Sequence, residues 1–193
     1  MGYAMRKEDA ESRYTYADYK DWDLKEGERY ELICGEAFAM SAPGDYHQSI
    51  SGELFKQIAN YLTGKPCKVR AAPYDVRLFY KEGGDDDDTV VQPDISIICD
   101  GKKRGPEGCR GAPDFVAEIL SPSNTAIEME RKFRLYRESG VREYWVLDPE
   151  HKTMHAYSFA EGAVFPRFYA AGDKAGVGIF PGFAVDLGPV FSE

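Results

Sequence analysis

The chain has 193 residues, of which 24 are Lys or Arg and 33 are Asp or Glu, so its formal net charge at pH 7 is −9. Apolar residues make up 43% and aromatic residues 13% of the sequence, which excludes a disordered or low-complexity protein. No stretch approaches the roughly 18 apolar residues of a membrane-spanning helix, and the length suffices for a core that needs no metal or disulfide to fold.

The N-terminal segment is predicted to be a flexible tail over residues 1–13, followed by a single domain over residues 14–193. The basic pair Arg6-Lys7 is followed by acidic residues, and an apolar stretch typical of a signal peptide is missing there. The expected location is therefore the cytoplasm.

The cysteines point the same way. Cys34, Cys67, Cys99 and Cys109 are scattered, with no CxxC pair and no Cys/His cluster. Because zinc sites need ligands at short paired spacings, we expect reduced, mostly buried thiols and no zinc.

Patterns in the first half predict two helices and several strands. The capping-box pattern that begins at Thr15 opens a short helix to about Lys25. Apolar residues recur at helical spacing over residues 46–62 and predict a second helix there. Alternating or β-rich segments predict strands at residues 29–34, 37–40, 68–72, 74–80 and 90–99, the last with an insertion at residues 92–94.

The second half predicts a strand–helix–strand unit. After a polar loop over residues 100–111, the apolar run Phe115–Leu120 reads as a buried strand. Thr125 and Glu128 form a capping box that opens a helix to Ser139. The remaining predictions are a strand at residues 141–148 and a hairpin of strands 154–159 and 164–170. A crossover helix between two strands makes them parallel, so we expect an α/β fold on a mixed sheet.

Three polar residues stand where the pattern predicts interior or sheet-end backbone. Asp94 follows Pro93 inside a predicted strand, Glu118 interrupts the apolar run, and Lys132 lies on the crossover helix. A carboxylate in an apolar strand is costly unless it is paired, hydrogen-bonded or bound to a metal. Since the helix runs back along the preceding strand at about 1.5 Å per residue, Lys132 can reach the level of Glu118. Two carboxylates, a divalent cation and a lysine form a site able to cleave phosphodiesters.

Several segments of the chain resemble the Uma-type restriction-endonuclease-like family of the PD-(D/E)XK nuclease superfamily. They are Gln92–Ser96, Gly111–Asp114, Glu118–Ser123 and Arg142–Pro149, with Tyr30–Glu36 and His47-Gln48 matching as well. The resemblance covers about residues 14–191, with the motifs in order. It implies a restriction-endonuclease-like mixed β-sheet flanked by helices, with added β-hairpins. It also implies an endonuclease that hydrolyses DNA with Mg²⁺ or Mn²⁺.

The resemblance also implies which residues bind the metal. Asp94 matches the Asp of the PD motif, and Glu118 matches the acidic residue of the second half of the motif. Both would bind the metal ion together with the carbonyl oxygen of Ile119. Without the resemblance, Asp94 could equally be a turn or sheet-edge residue, and Glu118 could pair with Arg131 or Arg134 in a purely structural contact.

Three further residues are implied to take part in catalysis. The motif's lysine position holds Leu120 in this chain, and the resemblance implies that the lysine has moved to the following helix, where Lys132 lies. Glu36 and His47 match upstream polar positions, where a further carboxylate and a histidine are expected. As alternatives, Lys132 could face solvent, Glu36 could be an exposed hairpin residue, and His47 could begin a helix.

Other charged segments leave alternatives open. The run Asp85–Asp88 lacks the spacing of a calcium loop and is predicted to be a solvated hairpin tip. The basic residues of Lys102–Arg104 and Arg110 could contact DNA phosphates or only keep a loop soluble. Specificity for DNA would have to come from loops such as residues 41–45 and 100–111.

The function predicted from the sequence is that of a Mg²⁺-dependent endonuclease acting on DNA. The alternative is a non-catalytic nucleic-acid- or protein-binding module that retains the fold, since the chain is acidic and phosphate binding depends on Lys and Arg. A third hypothesis is a structural homodimer that pairs through a sheet edge, which could also be an addition to the endonuclease function.

Overall fold

The structure, a computed structural model, describes residues 4–5 and 13–192. Most of the predicted N-terminal tail, residues 1–3 and 6–12, lies outside the described residues, and Ala4–Met5 form a short strand. The strands are β1 (Ala4–Met5), β2 (Tyr30–Ile33), β3 (Glu36–Ala39), β4 (Lys68–Ala71), β5 (Val76–Arg77), β6 (Val90–Val91), β7 (Ile95–Ile98), β8 (Arg104–Gly105), β9 (Gly108–Arg110), β10 (Phe115–Ile119), β11 (Glu143–Asp148), β12 (Thr153–Ala160), β13 (Ala163–Ala170), β14 (Lys174–Gly176) and β15 (Ala184–Asp186). The α-helices are α1 (Tyr16–Tyr19), α2 (Asp45–Leu62), α3 (Ala126–Ser139) and α4 (Leu187–Val190).

The strands form two large mixed sheets and a small hairpin. The six-stranded sheet has the order β13-β12-β11-β10-β7-β4, and the seven-stranded sheet has the order β1-β3-β2-β6-β5-β9-β8. In the six-stranded sheet β10 and β11 are parallel, whereas the other neighbouring pairs are antiparallel. The parallel pair is the one that α3 connects, so the predicted strand–helix–strand unit is confirmed, as is the mixed α/β fold.

The six-stranded sheet separates two hydrophobic cores. Successive side chains along a strand point to opposite faces, so Phe115 and Trp145 belong to the core that includes α2 and the C-terminal segment. Val116 and Tyr144 belong to the core that includes α3 and part of the seven-stranded sheet. The α3 helix therefore lies over one face of the sheet.

The helix α2 matches the helix predicted from the helical spacing of apolar residues, and these residues form its buried face. Ile50, Leu54 and Ile58 are fully buried against the first core. Burying each such side chain contributes roughly 1.5–3 kcal/mol, which holds an 18-residue helix on the sheet. None of the helices in the described part of the chain is both long and apolar enough to cross a membrane.

Three predicted elements differ from the observed ones. The helix α1 ends at Tyr19 instead of about Lys25, because Trp22 turns back to pack against the rings of Tyr14, Tyr19 and Tyr30. The predicted strand over residues 90–99 is interrupted at its predicted insertion, since Pro93 has no N–H to donate to a ladder, and its two parts, β6 and β7, belong to different sheets.

The third difference concerns the predicted polar loop at residues 100–111, which contains the β8–β9 hairpin. Gly108 makes this hairpin possible. Its φ is +119°, and a Cβ atom there would lie 2.3 Å from the carbonyl oxygen of Asp75. This close approach to β5 requires glycine.

The cysteines correct one expectation. Cys67 and Cys99 form a disulfide, so the prediction of four reduced thiols is wrong for this pair. They lie next to Lys68 and Ile98, which are directly opposite each other in the antiparallel β4–β7 pair, and this register brings the two sulfur atoms together. Cys34 is exposed and Cys109 is buried, both as free thiols.

The acidic run Asp85–Asp88 also differs from its prediction. Asp87 is buried and forms a two-bond ion pair with Arg77, while Asp85 contacts both Arg77 and Lys20. The prediction of a solvated tip is therefore wrong for Asp87, because the buried guanidinium of Arg77 requires a carboxylate partner.

Candidate active site

The sheet brings Asp94 and Glu118 together. Asp94 immediately precedes β7, and Glu118 lies on the neighbouring strand β10, where Ala117 is paired with Ile95. The carboxylate of Asp94 accepts a hydrogen bond through Oδ2 from the backbone N–H of Ile119 at 2.7 Å. Asp94 is thereby fixed at the end of the strand that carries Glu118.

Lys132 reaches this point from α3. The capping box of Thr125 and Glu128 fixes where the helix begins. Lys132 lies two turns along and donates through Nζ to Oε1 of Glu118 at 3.0 Å. Its side chain is only 15% exposed, so Lys132 does not face solvent. One turn further along α3, the hydroxyl of Tyr136 donates to the same oxygen of Glu118. The partners of Glu118 are thus Lys132 and Tyr136, and not Arg131 or Arg134.

The cluster contains Glu31, which the sequence analysis did not single out. Glu31 lies on β2 and is buried, and its Oε1 accepts from Nζ of Lys132 at 3.2 Å and from the backbone N–H of Gln92 at 2.9 Å. Lys132 therefore bridges two carboxylates from different sheets. A charged residue inside a predicted strand, the same signal that identified Glu118, could have identified Glu31.

Glu36 does not join the cluster. The two-residue turn at Cys34-Gly35 places Glu36 opposite Ile33 at the end of the β2–β3 hairpin, where its side chain is exposed. Among the described residues, the upstream carboxylate that contacts Lys132 is Glu31. The structure thus corrects the expected position of the upstream acidic residue by five places along the chain.

His47 lies beside Asp94. It belongs to the first turn of α2, and its Nε2 lies 3.2 Å from the carbonyl oxygen of Ile119 and 3.3 Å from Oδ2 of Asp94. Its Nδ1 is buried and has no hydrogen-bond partner among the described residues. Burial lowers the pKa of His47, but the hydrogen bond and charge of Asp94 outweigh it, so the pKa lies above its usual 6.5.

The charges of the cluster are strongly coupled. Burial raises the pKa of Glu118 to about 7; Lys132 opposes this shift, while Asp94 and Glu31 add to it. Burial also disfavours the charged form of Lys132, but the two carboxylates at its ammonium outweigh burial and raise its pKa above the usual value. The two carboxylates therefore favour the protonated, positively charged form of Lys132.

Oxygen atoms at this site form a set suited to Mg²⁺. Hydrogen bonds among the described residues use Oδ2 of Asp94 and Oε1 of Glu118, and leave Oδ1 and Oε2 without a donor. The carbonyl of Ile119 lies at the same strand end. Carboxylate and carbonyl oxygens are the ligands that Mg²⁺ prefers. In the part of the chain that is described, no group of three His, Cys, Asp or Glu side chains is arranged as a metal site, and this set uses only two such side chains.

The basic segment around residues 102–104 is partly committed to the fold. Lys103 donates to the carbonyl oxygen of Ala112 at 2.7 Å, and Arg104 donates to that of Ile98 at 2.9 Å. These bonds tie the segment to neighbouring backbone. Lys102, by contrast, is exposed.

Comparisons with known proteins show the family and the fold of the chain. The family model Uma2, described as "Putative restriction endonuclease", matches residues 16–188. An uncharacterized protein of Synechocystis, slr1290, is 27% identical over 130 residues, which span 67% of this chain and 65% of that protein. A crystal structure from Anabaena variabilis, described as a putative nuclease belonging to DUF820, superposes with a TM-score of 0.72 at 19% identity. That superposition covers 92% of this chain and 97% of the other, so the two share a fold.

Proposed function

The chain belongs to the Uma2 family, whose description is "Putative restriction endonuclease", and we propose that it is a Mg²⁺-dependent endonuclease that hydrolyses phosphodiester bonds of DNA. The observation that carries the proposal is the contact of Lys132 with Glu118, next to Asp94. Carboxylates on neighbouring strands with a lysine at one of them provide both a metal site and a fixed cation. DNA is the substrate that the family description supports.

Asp94, Glu118 and the carbonyl oxygen of Ile119 would hold the metal ion. Mg²⁺ or Mn²⁺, when bound, polarises the phosphate and makes a water molecule easier to deprotonate. The protein holds its ligands in advance, since Asp94 is fixed by the N–H of Ile119 and Glu118 by Tyr136.

Lys132 supplies the positive charge for the reaction. Because the carboxylates of Glu118 and Glu31 keep it protonated, it acts as a hydrogen-bond donor and does not take a proton from water. Its ammonium can donate to the attacking water or to a phosphate oxygen as negative charge develops there. Glu31 and Glu118 hold the ammonium in place for this role.

His47 is a positioning residue in this proposal. Its Nε2 bridges the carboxylate of Asp94 and the carbonyl of Ile119, two of the groups that would hold the metal. Its imidazole keeps these two oxygens at a fixed separation.

Cleavage of supercoiled plasmid tests the proposal. We expect the wild-type protein to nick plasmid with Mg²⁺ or Mn²⁺ and to lose the activity with EDTA. Asp94→Asn should lose it in all conditions while keeping the wild-type circular dichroism spectrum. Nicking by Asp94→Asn at the wild-type rate would contradict the proposal.

Metal binding should depend on pH. With the pKa of Glu118 raised to about 7, the carboxyl is protonated below that pH, and a protonated carboxyl is a poor ligand. We therefore expect Mn²⁺ affinity, measured by calorimetry, to rise about tenfold per pH unit up to about 7 and then to level off. In Glu118→Gln the affinity should be weaker, without this rise. Equal affinity of the wild-type protein at pH 6 and pH 8 would contradict the assignment.

We also propose that the expected homodimer forms through β13. This strand is at an edge of the six-stranded sheet, and it carries Phe165 and Phe168, which are 56% and 66% exposed. Unpaired edges with apolar side chains pair readily with another chain. Light scattering should show a dimer for the wild-type protein and a monomer for Phe168→Lys. Ile127→Lys, equally exposed but on α3, should remain dimeric. A monomeric wild-type protein would contradict this proposal.

A further inference from the structure

A cleft of about 190 Å³ opens next to the candidate active site. Asp94 and His47 lie in its wall, together with Gln48 and Ser51 of α2. The wall also includes Arg29, which immediately precedes β2. The cleft therefore has both the carboxylate expected to hold the metal and a basic residue from a different element in its wall.

The charge around the active site makes this arginine significant. Glu31, Glu118 and Asp94 face only Lys132 and His47, so the cluster is net negative when its three carboxylates are ionised, and a bound divalent cation would leave it with at most one positive charge. The whole chain adds to the repulsion of DNA, with a formal charge of −9. A bound DNA strand brings one further negative charge per phosphate. Holding that strand therefore calls for a cation beyond the metal, Lys132 and His47.

Arg29 meets this need. It is the one Lys or Arg side chain among the described residues that line the cleft, and it forms no salt bridge with any described carboxylate. Its guanidinium presents donors in a planar fork that matches two oxygens of a phosphate. Gln48 and Ser51 add an amide and a hydroxyl on the α2 side.

We propose that this cleft binds a phosphodiester group of DNA that neighbours the scissile one, with Arg29 as its principal contact. The inference rests on the proposed function, because it is the proposed metal site that places the scissile phosphate at Asp94. It also selects the loop at residues 41–45 over that at 100–111 as the one near the bound strand, since Ala42 and Pro43 line the same cleft.

Salt-dependent binding of a fluorescent DNA duplex tests the inference. Ca²⁺ replaces Mg²⁺, and gel electrophoresis verifies that the duplex stays intact. The variants are Arg29→Gln, which removes the charge, and Arg29→Lys, which keeps it. Arg134→Gln is the matched control, because Arg134 is an exposed arginine of α3 paired with Glu130, away from the cleft. Nicking rates with Mn²⁺ are measured for the same proteins.

Arg29→Gln should weaken DNA binding and lower the slope of log affinity against log salt by about 1, which is the signature of one lost phosphate contact. Its KM for DNA should rise more than its kcat falls. Arg29→Lys should keep the wild-type slope, and Arg134→Gln should match the wild type throughout. A merely structural role for Arg29 would leave the slope unchanged.

The experiment distinguishes failure of the phosphate site from failure of the proposed function. If Arg29→Gln binds DNA with the wild-type affinity and salt slope while the wild-type protein cleaves DNA, the phosphate site is overturned and the proposed nuclease function stands. If the wild-type protein does not cleave DNA but Arg29→Gln binds DNA more weakly than the wild type, the proposed function is overturned and the phosphate site is supported. Absent DNA binding by the wild-type protein would overturn both.

Discussion

Lys132→Met is expected to reduce metal-dependent DNA cleavage at least about 100-fold, the usual effect of removing one charged donor aimed at developing charge. The physical reason is that Lys132 is the only cation in contact with Glu118 and Glu31 among the described residues. The measurement is the initial rate of plasmid nicking at saturating DNA. A rate within threefold of the wild-type rate would show that Lys132 has no part in the reaction.

The variant needs a control for folding, because it leaves two buried carboxylates without their cation. Lys132→Arg keeps the positive charge, so it should keep the fold while its bulkier head group lowers the rate. Lys56→Met removes an exposed lysine of α2 whose ion pair is with Glu53, away from the cluster, and should cleave DNA like the wild-type protein. Circular dichroism spectra of all three variants verify the fold.

Asp87→Ala is expected to destabilise the protein by about 3 kcal/mol, at the lower end of the range for breaking a buried ion pair. Asp87 accepts from Nε and from a terminal nitrogen of Arg77 at 2.7 and 2.5 Å, and both side chains are almost completely buried. We expect a loss of unfolding free energy at the lower end of this range because Asp85 keeps a 3.0 Å contact with Arg77. Urea denaturation measures the change in the free energy of unfolding.

The neighbouring aspartate provides the matched control. Asp86 is exposed, and its contact with Lys81 spans 3.9 Å between two exposed side chains. Asp86→Ala should therefore change the free energy of unfolding by less than about 0.5 kcal/mol. Equal stabilities of the two alanine variants would mean that the Arg77–Asp87 pair contributes little to the fold.

Sequence reasoning worked best where local rules and burial agree. The capping box at Thr125 and the apolar run before it predicted α3 and the strand that precedes it, and both are present in the structure. From these, the contact between Lys132 and Glu118 followed by geometry, and the structure contains it. Glu118 could be singled out because a carboxylate in an apolar strand demands a partner.

The features that were missed depend on long-range contacts. Glu31 becomes a partner of Lys132 only when β2, from the seven-stranded sheet, meets α3. The disulfide depends on the register of β4 against β7, and the local sequence pattern does not predict this register. The burial of Asp87 likewise depends on the position of Arg77, ten residues earlier. In each case a side chain's partner comes from another element, so local spacing could not identify it.

Glu118 and its neighbours form the site at which we propose that DNA is cleaved. The most direct test compares Mg²⁺-dependent cleavage of an end-labelled DNA duplex by the wild-type protein, Glu118→Gln and Glu36→Gln. We expect the wild-type protein and Glu36→Gln to cleave at similar rates, because Glu36 is exposed and outside the cluster, and Glu118→Gln to be at least about 100-fold slower. Cleavage by Glu118→Gln at the wild-type rate, or no cleavage by the wild-type protein with Mg²⁺ or Mn²⁺, would contradict the claim.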